Sequence, residues 1–141
     1  MTVNTIVVAH DGSPGAGRAF DWAVGVAQQT GAGIVVVHAW SPLADLGRHH
    51  DRANFAELHE EALADLRSWI ADAAASGVTI DARVVEDLPV AGVVHAAREA
   101  GADLIVCGTR GRNPLREIVL GSVARQLPEK SHLPVAIIPP A

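Results

Sequence analysis

Gly108-Thr109-Arg110-Gly111, nine further residues and then Gly121-Ser122 follow directly on the apolar run Leu104-Ile105-Val106-Cys107. This spacing is where the chain could do chemistry. A glycine pair at a strand exit lets the backbone approach a ligand closely, because no Cβ intervenes. Gly121-Ser122 reads as the start of a further helix, whose free N–H groups and positive dipole end suit an anion. Strand, glycine loop and helix start together read as a cradle for phosphates.

The other reactive side chains fall around this cradle. Arg110, Arg112 and Arg116 lie inside the loop. They could supply counter-charge to phosphate oxygens, which the guanidinium fork matches. The plainer alternative is a solvated basic surface, with one arginine paired to Glu117. Asp11 closes the first apolar run. A carboxylate there could be a general base, but more often accepts hydrogen bonds or helps hold Mg²⁺ through water. Gly12-Ser13-Pro14-Gly15-Ala16-Gly17-Arg18-Ala19 approaches the P-loop pattern but fails it. Arg18 stands in place of the lysine, Ala19 in place of the Mg²⁺-binding hydroxyl, and Pro14 suits a helix start. His49, His50, Asp51 and His59 lack the spacing of a metal site and read as a polar loop. Cys107 has no base paired to it by motif and reads as a small core residue. Trp22 and Trp69 read as packing residues, while Trp40 stands at a strand end and suits either packing or a ligand wall.

The elements that must position these groups alternate along the chain. Thr5–Ala9 is a β-branched apolar strand. Ser13 as N-cap and Pro14 at the first helical position start a helix that stops at Gly31. Residues 34–39 form a second strand and residues 41–50 a loop. A long helix with Phe55, Leu58, Ala62, Leu66, Trp69, Ile70 and Ala73 along one side then runs to Gly77. Residues 78–85 alternate partly, as a sheet-edge strand does. A helix over 89–100 stops at Gly101, and a strand covers 103–107. A helix over 122–130 and a strand over 134–138 end the chain. Alternation of this kind gives a doubly wound α/β fold: an open five-stranded parallel sheet with helices on both faces, and a ligand outside the carboxyl ends of the strands.

Size and composition bound the possibilities. With 141 residues, 49% of them hydrophobic, and a net charge of −5, a single globular domain over 1–141 is expected. The negative charge argues against nucleic acid or an anionic membrane as the main partner. No apolar run approaches a membrane span and the start lacks a signal-peptide pattern. A lone cysteine fits a reducing cytoplasm. Ten of the eleven basic residues are arginine, the cation better shaped for phosphate.

Taken together, Asp11, His38, the stretch 102–111, Leu120-Gly121-Ser122-Val123 and the closing Leu133-Pro134-Val135-Ala136-Ile137-Ile138-Pro139 resemble the universal stress protein family over the whole chain. The pattern G-x2-G-x9-G-S is similar to that of its ATP-binding branch. The resemblance implies strand order 3-2-1-4-5, a homodimer through the last strand, and an ATP site, with or without Mg²⁺, over strands one and four. By position, Asp11 would lie beside the adenosine and the Ala39 backbone would meet the adenine edge. Gly108, Gly111, Gly121 and Ser122 would surround the phosphates and ribose, with Val123 beside them, and Arg110 and Arg112 would belong to the same loop. The chain departs from the family at Asp87-Leu88-Pro89, where a glycine often precedes the helix.

No Walker lysine, paired catalytic carboxylates or evident water-activating group is present. That favours a nucleotide-dependent regulator in the stress response with slow or no hydrolysis. The alternatives are a weak Mg²⁺-dependent ATPase or phosphotransferase, and a dimerisation module that binds no nucleotide. The apolar terminal strand would be an exposed edge in a monomer, so a homodimer is expected there as well.

Overall fold

A computed structural model of the chain describes residues 2–41, 55–110 and 120–140. The strands are β1 (Thr5–Ala9), β2 (Gly33–Trp40), β3 (Ile80–Glu86), β4 (Leu104–Gly108) and β5 (Val135–Ile138). The helices are α1 (Pro14–Thr30), α2 (Phe55–Trp69), α3 (Pro89–Ala100) and α4 (Ser122–Ser131), with a 3₁₀ turn over Ala71–Ala75. All strand pairs are parallel and their order is β3-β2-β1-β4-β5, as the alternation of elements and the family resemblance predict.

Local chemistry sets the helix ends. Ser13 Oγ accepts the Ala16 N–H at 3.2 Å and Pro14 fills the first helical position of α1, where its missing N–H is no loss. Gly31 and Gly101 end α1 and α3 in the left-handed conformation, which costs a glycine little.

The two sheet faces bury different partners. Ile6, Val8, Ile34, Val36 and Val106 pack under Ala19, Phe20, Ala23 and Ala27 of α1 and Leu66 of α2. Val7, Val35, Val37, Ile105 and Cys107 pack under Val93, Val94, Ala96 and Ala97 of α3 and Ala124 and Leu127 of α4. Strands buried on both faces read as continuous apolar runs rather than alternating ones, which is why residues 5–9, 34–37 and 104–107 are legible. Cys107 is 3% exposed, and burial pushes its thiol up to about 11. It is a core residue, not a nucleophile.

Two expectations need correction. The long helix stops at Trp69, not Gly77. Its last bonds shorten to the i→i+3 type, with Ala73 N–H donating to Ile70 O at 3.1 Å and Ser76 N–H to Ala73 O at 3.0 Å. Tightening of this kind is common at a helix C-terminus. Trp22 is 43% exposed and Phe55 46%, so neither is a core residue. The first strand, by contrast, ends at Ala9 as the sequence predicts, with Asp11 in the turn that follows it.

The two edges of the sheet differ in charge. On β3, Arg83 pairs with Asp81 at 3.0 Å and Glu86 ends the strand, a charged edge that discourages further pairing. β5 carries no charge. Pro134 O accepts the Ile105 N–H, so position 136, like 134, faces β4 and the peptide groups of Val135 and Ile137 face outward.

Candidate functional site

The turn after β1 is the best-defined part of the site. Its residues are tied to one another: Gly12 N–H donates to His10 Nδ1 (3.1 Å) and Ser13 N–H to Asp11 Oδ1 (3.0 Å). Asp11 is thus held at the start of α1 by a short-range turn. Gly12 has φ +82°, and a Cβ there would fall 2.5 Å from Trp69 Cζ2. Only glycine fits on both counts.

His10 lies beneath this turn, stacked on Trp69 at 5.1 Å between ring centroids, with the two planes 15° apart. The His38 ring stands at 82° to that of Trp69, with the centroids also 5.1 Å apart. Because Nδ1 of His10 accepts a hydrogen bond, the neutral ring carries its proton on Nε2. Burial lowers its pKa from 6.5 to about 4; the charge of Asp11 opposes that and His38 adds to it. His38 Nδ1–H donates to the His10 carbonyl at 2.9 Å, a bond only a donor nitrogen can make. Neither ring reads as a ligand; together they brace the turn that presents Asp11. Sequence spacing gave no sign of this bracing, because Trp69 arrives from an element more than fifty residues away.

Ala39 is placed by strand register. Val37 O accepts the His10 N–H, while Ile34 N–H and Trp40 O bond toward β3. Backbone groups alternate sides along a strand, so Ala39 directs its N–H and C=O toward β1. Since β1 ends at Ala9, those groups point past its end. Trp40, next along, is 6% exposed, and its Nε1 has no partner among the described residues.

The exit of β4 presses against the start of α1. A Cβ on Gly108 would lie 2.9 Å from Gly15 C and 3.0 Å from Gly15 O, and one on Gly15 would lie 3.3 Å from Arg110 O. Gly108 therefore has a packing reason to be glycine, independent of any ligand. The far end of the loop returns to the same place: Gly121 N–H donates to Thr109 O at 2.7 Å. The first bond of α4 is Arg125 N–H to Gly121 O. The amides of Ser122, Val123 and Ala124 therefore precede the helical ladder, and Gly121 has no side chain to cap them.

Asp11, Ala39, Gly108, Arg110, Gly121, Ser122 and Val123 thus gather at the carboxyl ends of β1, β2 and β4. Gly111, Arg112, Arg116 and Glu117 lie outside the described residues, as do His49, His50 and Asp51. Among the described residues no group of three His, Cys, Asp or Glu side chains comes together to hold a metal, and no helix is long and apolar enough to cross a membrane. A cavity of about 360 Å³, lined by Gln28, Gly31, Ser76, Gly77 and Thr79 among others, opens at the opposite end of the sheet. It is far from every group named above and brings no reactive side chain together.

Residues 2–139 match the family model of the universal stress protein family. A universal stress protein of Thermus aquaticus is 36% identical over 137 residues, covering 95% of this chain and 97% of its own. A universal stress protein solved in complex with cAMP is 30% identical, with a TM-score of 0.73 and full coverage of both chains. Protein MJ0577 matches the fold at a TM-score of 0.86 over 100% of this chain and 99% of its own, with 22% identity. On its sequence, its strand order and these likenesses, the chain belongs to the universal stress protein family.

Proposed function

We propose that this protein binds an adenine nucleotide, ATP in the first instance and with or without Mg²⁺, at the carboxyl ends of β1 and β4. Its output is occupancy rather than turnover. The observation that carries this reading is the Gly121–Thr109 bond at 2.7 Å. It brings the three leading amides of α4 back to the exit of β4, beside the turn that holds Asp11. Helix-start amides favour phosphate oxygens, and Ala39 offers a peptide edge where a base would sit. The cAMP complex of a relative supports the adenine class, and the full glycine pattern supports the ATP-binding branch.

The groups present suit binding more than catalysis. Asp11 accepts from Ser13 N–H, and the other polar side chains among the described residues gathered there are those of Arg110 and Ser122. Binding of about micromolar strength, near 8 kcal/mol, needs only a few charge-assisted hydrogen bonds of about 1.5–3 kcal/mol each plus base contacts. A homodimer through the uncharged β5 edge belongs to the same reading, as does a regulatory role in the stress response. Native mass spectrometry with added ATP tests it: one nucleotide mass per chain, with phosphate release well below about 1 s⁻¹, is expected. Absence of any nucleotide adduct at millimolar ATP removes the reading, and steady fast release replaces it with an ATPase.

A further inference from the structure

Arg18 occupies the lysine place of a P-loop that the chain does not otherwise make. Its surroundings give it another role. The side chain is half-buried, its Nε is shielded from solvent without an acceptor, and no carboxylate pairs with it among the described residues. In a chain of net charge −5, a partly enclosed guanidinium with no counter-ion among the described residues is an anion-seeking group.

Its position is defined by the bare backbone of Gly15. A Cβ there would lie 3.8 Å from Arg18 Nη2 and 3.3 Å from the Arg110 carbonyl. The guanidinium therefore folds back along α1 to the strip where α1 meets the β4 exit. Thr109, the residue before Arg110, is bonded to Gly121. Arg18 and the leading amides of α4 thus both lie against one turn, Gly108–Arg110.

We propose that Arg18 is the residue by which the site distinguishes phosphate number, contacting the outer phosphates of a nucleoside triphosphate whose inner phosphate rests on the α4 amides. This rests on the nucleotide-binding reading above and adds to it a preference for ATP over AMP. The guanidinium donates two N–H bonds to one phosphate, a geometry lysine cannot reproduce.

Calorimetric titration of wild type, Arg18→Gln and Arg18→Lys with ATP, ADP and AMP tests it, with thermal melts to establish that each variant is folded. In wild type, affinity is expected to rise from AMP to ATP. Arg18→Gln should lower ATP affinity by about ten- to a hundredfold, the loss of one charge-assisted contact, leave AMP within about twofold, and so flatten the series. Arg18→Lys should fall between. A wild type that binds all three nucleotides equally, or an Arg18→Gln loss that is the same for ATP and AMP, overturns the role of Arg18 while leaving nucleotide binding intact. A wild type that binds none of them overturns both.

Discussion

Replacing Gly108 by alanine separates two explanations of the glycine pattern. If the glycine serves only ligand approach, the variant should fold as well as wild type and lose affinity. The structure predicts otherwise. The new methyl carbon would start 2.9 Å from Gly15 C, 3.0 Å from Gly15 O and 3.4 Å from Ala16 N. All three are backbone atoms, so no rotamer change relieves the contact. Gly108 is not among the positive-φ glycines, so alanine adds no conformational strain and the whole cost is steric. Restoring ordinary contact requires α1 to retreat from β4 by about half an ångström, against the packing of Ala16, Ala19 and Phe20. Overpacking of this kind costs about 1–3 kcal/mol. For a chain of this length each kcal/mol lowers Tm by about 3–5 °C, so a fall of about 3–15 °C is expected with no nucleotide present. Differential scanning calorimetry of the unliganded proteins reads it. Gly15→Ala, whose nearest contact is 3.3 Å, should show a smaller fall. An unchanged melting temperature for Gly108→Ala would refute the packing argument.

Three further outcomes are expected. Because burial holds the His10 pKa at about 4 against 6.5, the unfolded chain takes up a proton below pH 6.5 that the folded chain resists. Stability from this group is complete above pH 6.5 and falls by about 3 kcal/mol as pH drops toward 4; urea midpoints should show that slope in wild type and not in His10→Asn. Gly121→Val should lose nucleotide affinity by at least about tenfold, from crowding at the α4 amides, yet remain folded, since φ −62° and ψ 162° suit any residue; equal affinity in calorimetry would contradict the cradle. Ile137→Pro removes an N–H that faces away from β4, so it should convert a dimer to a monomer in sedimentation velocity at micromolar concentration, and a wild type that is already monomeric there would sink the β5 interface.

Local signals carried most of the fold. Ser13-Pro14 and Gly31 bound α1 correctly, Pro89 and Gly101 did the same for α3, and the β-branched runs marked the central strands. Each is a property of a few neighbouring residues. What the sequence concealed is long-range. Asp103 is part-buried just before β4, and its carboxylate accepts from Asn4 N–H at 2.7 Å and Thr5 N–H at 3.0 Å, pinning the start of β1. Those two bonds lower its pKa, so this support weakens as pH falls into the carboxylate range. The His10–Trp69 stack depends on the angle of α2, which no periodicity encodes. Gly108 was legible as important but for a different reason, because its close neighbour Gly15 is over ninety residues distant. Trp22 reads as core by helical spacing, yet α1 turns Ala19, Phe20 and Ala23 to the sheet and leaves Trp22 outward. The candidate site was legible in its glycines and in Asp11; its bracing by His10, His38 and Trp69 was not.

The central claim is that an adenine nucleotide meets the start of α4 beside the β1 turn. Amide chemical shifts of ¹⁵N-labelled protein titrated with ATP test it residue by residue. The account predicts the largest changes at Ser122, Val123 and Ala124, with others at Ala39 and Gly12, and none at Gln28, Ser76 and Thr79 around the cavity at the opposite end of the sheet. Changes confined to that cavity, or no saturable change at all, would contradict it.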